Sequence, residues 1–339
     1  MMEERIRKIY KRLMDRESKE IYKSRVFFSL TGDYSEICHI VAGTAQAGEI
    51  RRRVLKFSES PVFLWGTGFW ADYLYRSFPD IHWSGFVDNY PRIETKNGLP
   101  ILPAEKFREE YQSALVVIAS TAWHNEIYEQ LESWGYDADR VVDAGAMMLE
   151  LFEQQYFDLP GLPHKEKEVF VDAGCFDGLS VRGFLGWSGG KYESIIAFEP
   201  DKKCYEQCRE QLKDVDKLTL IDKGLWSSRE VLSFHATGAS DSAVSCDGEA
   251  QIEVLQLDEV LGDRDITFLK MDIEGVEKEA LLGARKTIKR CRPKLAISVY
   301  HKPEDIWELP ELILDICPDY KLYMRHYSLR DAETVLYAV

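Results

Sequence analysis

Seven short apolar runs between residues 168 and 339 constrain this chain more than any other feature. They are Glu168–Val171, Ser194–Phe198, Lys217–Ile221, Ile266–Met271, Lys294–Val299, Tyr320–Arg325 and Glu333–Ala338. A helical stretch follows each of the first five, and strands that alternate with helices build a parallel sheet. Only a short link around Ser328–Asp331 separates the last two. A parallel crossover needs about a dozen residues or more, so these two must pair antiparallel. The expectation is an α/β fold with a seven-stranded sheet: five parallel strands plus an antiparallel hairpin. In open sheets of this kind, ligands bind at the carboxyl ends of the strands.

A second, shorter alternation precedes it. Val62–Trp65, Gly85–Asp88, Ala114–Ala119 and Arg140–Asp143 read as strands, with helical patterns between them. This predicts a smaller Rossmann-like α/β domain over residues 56–150. Residues 1–55 read as a helical arm, with Ile6, Ile9, Tyr10 and Leu13 at helical spacing. The turn-rich Leu159-Pro160-Gly161-Leu162-Pro163 closes a connector, and the larger domain spans 165–339.

Charge and cysteine usage narrow the function. Lys and Arg number 43 against 58 Asp and Glu, a formal charge of −15. Binding a phosphate backbone is driven by cationic neutralisation, so no nucleic-acid partner is expected. The first residues hold no apolar core of a secretory leader, and no run is long enough to span a membrane, so no membrane insertion is expected. Seven scattered cysteines fit a reducing, cytoplasmic setting. Cys204 and Cys208 lie four apart on a predicted helix, but no second Cys or His pair follows at zinc spacing. They read as structural thiols.

The chemistry-bearing residues sit at the predicted strand ends. Val169-Phe170-Val171-Asp172-Ala173-Gly174-Cys175-Phe176-Asp177-Gly178 is a buried strand, a glycine turn and a helix start. Glycines let backbone amides approach a ligand closely. No third glycine stands at dinucleotide spacing and no Gly-Lys-Ser/Thr follows, which excludes an NAD fingerprint and a P-loop here. Glu199-Pro200 ends the second strand, where a carboxylate can accept both hydroxyls of a ribose. Gly224, just past the third strand, lies where an adenine ring would sit. Asp272, Glu274 and Glu277 crowd the end of the fourth strand. Carboxylates so close repel one another, so a cation, a proton or substrate hydroxyls should offset them. Glu277 also suits the positive end of a helix. His301 follows the fifth strand and His326 ends the sixth. Gln256-Leu257-Asp258 reads as a cap of a short helix, and Ala239–Ala243 as a polar loop able to cover a cofactor.

Together, VDAGCFDGLS, AFEP and LKMDIEGVEKEALLGA resemble the FkbM family of S-adenosylmethionine-dependent methyltransferases, and the strand layout resembles that of class I methyltransferases. The tail motifs SVYHKP, YKLYMRHY and ETVLY support the resemblance, which covers about residues 165–339. It implies S-adenosylmethionine as cofactor and O-methylation of a sugar, glycoconjugate or natural-product hydroxyl. Asp172, Gly174, Asp177, Gly178, Glu199, Pro200, Gly224 and Asp272 would then bind the cofactor, and Asp272 and Glu274 would line the reaction site. A base near neutral pKa suits removal of the acceptor proton, with His301 the first choice and His326 the second. A metal on Asp272, Glu274 and a histidine is allowed by residue type. The spacing is not diagnostic, however, and none is expected.

In the smaller domain, Gly66-x-Gly68-x-x-Ala71 follows a strand and opens a helix, with Asp88 about 20 residues on, the dinucleotide spacing. The block GFVDN…NGLPIL resembles small Rossmann-like domains attached to sugar-modifying enzymes. Gly66, Gly68 and Asp88 are therefore a candidate nucleotide or nucleotide-sugar site, with a scaffold role as the alternative. A competing function is an NAD(P)-dependent oxidoreductase or epimerase run from this loop, against which stands the lack of a Tyr-x-x-x-Lys pair. The exposed arm leaves a homodimer open.

Overall fold

The computed structural model describes residues 2–238, 242–244 and 248–339. The chain divides into two units. One comprises Thr31–Phe152 with Ser328–Asp331, and the other Met1–Leu30, Glu153–Tyr327 and Ala332–Val339. Residues 1–55 are therefore not one arm. Their helices Met2–Arg12 and Arg16–Thr31, the latter as far as Leu30, fall in the larger unit, whereas Ser35–Ala42 and Ala45–Lys56 fall in the smaller. The reason is apolar burial on both sides of the break. Ile9, Leu13, Ile21 and Tyr22 bury in the first group and Ile37, Ile40, Val41 and Ile50 in the second.

The smaller unit holds β1 (Val62–Trp65), β2 (Trp83–Asp88), β3 (Thr95–Lys96), β4 (Leu99–Pro103), β5 (Leu115–Ile118) and β6 (Val141–Val142). The order is β3-β4-β2-β1-β5-β6, with all neighbours parallel except β3 and β4. β1 and β5 are buried at every position, as central strands covered on both faces must be. An aromatic core of Phe63, Trp65 and Phe107 fills one face, with ring centroids 5.2–5.5 Å apart.

The larger unit holds β7 (Glu168–Ala173), β8 (Tyr192–Phe198), β9 (Leu218–Ile221), β10 (Gly224–Leu225), β11 (Glu230–His235), β12 (Ala243–Val244), β13 (Ala250–Leu255), β14 (Phe268–Met271), β15 (Lys294–Ser298), β16 (Leu322–His326) and β17 (Thr334–Ala338). Its main sheet runs β16-β17-β15-β14-β7-β8-β9. Strands β15, β14, β7, β8 and β9 are parallel, and β17 lies antiparallel between β15 and β16. Leu13 adds a parallel bridge to Leu322, and Arg325 Nη2 pairs with Asp15 at 2.8 Å. The first helices thereby cover the β16 edge, which would otherwise present unpaired backbone groups.

Between β9 and β14 the chain forms a separate small sheet, β10-β13-β11-β12, which the strand pattern of the sequence does not include. The period-two pattern was present: along β13, Ile252 and Val254 are buried and Gln251 and Glu253 exposed. Of the segment read as a polar cover, Ala239–Asp241 lie outside the described residues, while Ala243 pairs with His235 in this sheet. Gln256 does precede a short helix, Leu257–Leu261, but Asp258 instead accepts from Lys286 and Thr287 amides at the start of the helix Arg285–Cys291. No helix among the described residues is long and apolar enough to cross a membrane.

The amino ends of the central strands carry a buried ion pair. Lys294 Nζ lies 2.8 and 3.0 Å from the two carboxylate oxygens of Glu168, and the side chains are 5% and 0% exposed. Thr267 donates to the same carboxylate. Removing one partner of such a pair leaves the other charge uncompensated. Glu168→Ala is expected to cost about 3–5 kcal/mol in urea unfolding, and Glu168→Leu combined with Lys294→Met to recover most of that loss.

Candidate active site

The glycine loop is built by close contact. Gly174 has φ +78°, and a Cβ there would sit 1.9 Å from the carbonyl oxygen of Asp272. No other residue type fits, so the loop after β7 and the end of β14 meet backbone to backbone. Gly178, at φ +84°, precedes the helix Leu179–Ser188 and offers no side chain to cap it.

Beneath the loop lies a buried lysine that the sequence reading did not single out. Lys270 Nζ donates to the Gly174 carbonyl at 2.6 Å and stands 3.1 Å from Asp172 Oδ1. Asp172 also accepts from Ser180 Oγ at 2.5 Å. The Asp172 side chain is fully buried, and burial lifts its pKa against the pull of Lys270. Asp172 thus braces the loop from inside the sheet. A lysine in the apolar run Phe268-Leu269-Lys270-Met271 was the only available signal, because a cation there must have an anionic partner.

Glu199 ends β8 and is 6% exposed. Its carboxylate accepts the Phe176 and Asp201 amides, each at 2.9 Å. Burial outweighs those bonds and raises its pKa to about 7. Asp177 accepts the Leu179 amide at 3.1 Å. After Pro200, Asp201 caps the helix Lys202–Gln211 and binds Ser242 Oγ at 2.8 Å, tying the insertion to this strand end. Gly224, expected just past the third strand, begins β10. It pairs with Val254 in the small sheet, and its α-carbon faces the Val254 methyl and Pro200. Cys204 is buried, and Cys208 lies 3.3 Å, sulfur to sulfur, from Cys175 of the loop.

The ends of β14 and β15 bring together residues far apart in sequence. His301 Nε2 lies 3.3 Å from Asp272 Oδ1 and 3.4 Å from Glu274 Oε2, while Nδ1 lies 2.9 Å from Glu277 Oε1. Although burial opposes it, these carboxylates raise the His301 pKa well above the usual histidine value. Tyr156 donates to Asp272 Oδ2 at 2.6 Å, and Tyr300 OH lies 3.3 Å from Oδ1. Tyr156 belongs to the segment read as a connector and carried no sequence signal. Glu277 begins the helix Glu277–Gly283 and its carboxylate also accepts the Ile273 amide at 3.0 Å, so it closes the turn as well as facing the histidine. His326 is held elsewhere, with Nδ1 2.9 Å from Thr334 Oγ1 on the neighbouring strand.

In the smaller unit, Gly66 has φ +121° and packs on the Ala119 carbonyl. Thr67, between Gly66 and Gly68, donates to Asp88, whose other oxygen accepts the Tyr90 amide at 2.8 Å. The Asp88 carboxylate therefore fastens its own loop.

Residues 172–325 match the family model described as Methyltransferase FkbM domain. This part of the chain is a methyltransferase FkbM domain. A 188-residue stretch is 25% identical to the 2-O-methyltransferase NoeI of Sinorhizobium fredii, covering 48% of this chain and 75% of that protein. The crystal structure of methyltransferase FkbM from Methylobacillus flagellatus aligns over 92% of this chain and 100% of its own, with 21% identity and a TM-score of 0.53. At that identity the likeness is one of fold. The oxidoreductase or epimerase alternative gains no support from these relatives.

Within the FkbM domain, Glu199 gives a pH test. Its folded pKa of about 7 stands above the ordinary 4.5, so the folded state holds the proton more tightly. Its contribution to stability is complete below pH 4.5 and is lost as pH rises towards 7. Wild-type protein should lose up to about 3 kcal/mol more than Glu199→Gln between pH 4.5 and 8, measured by urea midpoints.

Proposed function

We propose that the chain is an S-adenosylmethionine-dependent methyltransferase that methylates a hydroxyl oxygen of a sugar-containing or natural-product acceptor. One observation carries the reading. The glycine loop after β7, the buried carboxylate after β8 and the acid–histidine cluster after β14 and β15 all belong to the carboxyl edge of one parallel sheet, where such sheets bind ligands. The residues suit the cofactor. Gly174 leaves no room for a Cβ beside Asp272, and Glu199 is a buried carboxylate held by two amides with lone pairs to spare for a ribose diol. When bound, the cofactor supplies a methyl group already activated as a sulfonium.

The chain's own residues then bind, orient and move a proton. Lys270 fixes the loop by its bond to the Gly174 carbonyl. Tyr156 and Tyr300 fix Asp272 so that its carboxylate can orient a hydroxyl. As long as no cation takes its lone pair, His301, surrounded by carboxylates, carries a proton near neutral pH and cannot act as the base in that form. The acceptor proton passes instead to a carboxylate, and Glu274 is the most exposed of the three, at 31%. The relative's name, a 2-O-methyltransferase, supports oxygen as the methylated atom.

Trideuteromethyl-labelled S-adenosylmethionine, offered with a panel of hydroxylated sugars and nucleotide-sugars, should yield a labelled ether by mass spectrometry. Glu199→Ala should weaken S-adenosylhomocysteine binding about 10-fold or more in calorimetry. Glu274→Gln should lower kcat by about 10²–10⁴ while leaving that binding intact. Absence of S-adenosylhomocysteine binding to the wild type would overturn the reading.

A further inference from the structure

Asp272, Glu277 and His301 each offer an atom that can ligate a metal, and these atoms all lie within 4.8 Å of one another. That span suits a divalent cation with ligand distances of about 2.0–2.6 Å. Glu274 stands beside them, with Oε2 3.4 Å from His301 Nε2.

Acidic strand ends are common, and a cluster of carboxylates alone would not mark a site. The buried atoms left without partners do. The Glu277 side chain is 0% exposed, and its Oε2 makes no hydrogen bond among the described residues. The His301 side chain is 8% exposed. Both its ring nitrogens approach carboxylate oxygens to 2.9–3.4 Å, yet neither meets hydrogen-bond geometry. Buried polar atoms normally find a partner, and an exception marks a place where an ion or water binds or where a side chain is kept free for function. The balance of charge points the same way. Three carboxylates face one imidazole, and the buried cation Lys270 is committed to Asp172 and the Gly174 carbonyl.

We propose that Asp272, Glu277 and His301 bind one divalent cation at the carboxyl ends of β14 and β15. One imidazole nitrogen with carboxylate oxygens suits Mn²⁺, Fe²⁺ or Zn²⁺. The sequence spacing gives no hint of it. Asp272 and Glu277 are spaced like any strand-to-helix turn, and the third ligand arrives from the next strand. A cation here would hold an acceptor hydroxyl and ease loss of its proton. That role rests on the methyltransferase reading, whereas the binding itself rests only on the cluster.

The test uses full-length protein stripped with a chelator and titrated with Mn²⁺ under electron paramagnetic resonance. The expected result is one tightly bound equivalent whose pulsed spectra carry a ¹⁴N coupling from His301. Glu277→Gln should weaken binding about 10-fold or more, and His301→Gln should abolish the nitrogen coupling. The wild-type spectrum keeps the proposal falsifiable if either variant fails to fold. A free Mn²⁺ signal undiminished at millimolar concentration, or bound Mn²⁺ without nitrogen coupling, would overturn it. Titration of the same metal-free protein with S-adenosylhomocysteine separates the two proposals. If that ligand binds and Mn²⁺ does not, the cation site fails and the methyltransferase reading stands. Mn²⁺ binding without S-adenosylhomocysteine binding gives the reverse.

Discussion

A buried lysine holds the centre of the FkbM domain together. Lys270 emerges from β14, is 3% exposed, and bonds at once to Asp172 of β7 and to the Gly174 carbonyl. Desolvating an ammonium is costly unless it is paired and hydrogen-bonded, and here both conditions are met. The same contact sets the height of the glycine loop over the sheet. From that height follow the approach of Gly174 to the Asp272 carbonyl and of the Phe176 amide to Glu199. A ligand loop that is itself mostly backbone takes its shape from the charged pair below it.

The acid–histidine cluster obeys the opposite logic. At the loop, one anion faces one cation, with Lys270 Nζ 3.1 Å from Asp172 Oδ1. At the ends of β14 and β15, carboxylates outnumber the cationic group they face, and buried atoms stay unpaired. Such imbalance persists in a fold when function requires it, because local repacking could otherwise remove it. The contrast is between a charge-balanced pair and a cluster with excess negative charge, only a few residues apart along β14.

Much of this was legible from the residues. The strand ends that carry Gly174, Gly178, Glu199, Asp272 and Glu274 follow from apolar runs that stop at glycine or acid, and His301 follows directly on the apolar run of the fifth strand. What escaped the reading has identifiable causes. In the small sheet between β9 and β14 only β13 carries a clear alternation, while two of its partners are strands of two residues, too short for periodicity to register. Tyr156 lies in a turn-rich stretch with no pattern, yet its hydroxyl reaches Asp272 across 116 positions. Gly224, read as lying just past the third strand, is itself a strand residue paired with Val254. Residues 1–55 read as one arm because helical periodicity shows that a helix has an apolar face, not which core that face will join.

The sequence by itself determined the alternation of strands and helices, the antiparallel close of the larger sheet and the residue types at each strand end. These depend on local steric rules and on apolar periodicity, which act over a few residues. Tertiary structure alone decided which charges meet. Lys270 with Asp172, His301 with three carboxylates, and Tyr156 with Asp272 are contacts between segments distant in sequence, and electrostatic pairing depends on distance and burial in space. The physical identity of the site therefore lies in the packing of strand ends, to which the order of residues along the chain gives only the ingredients.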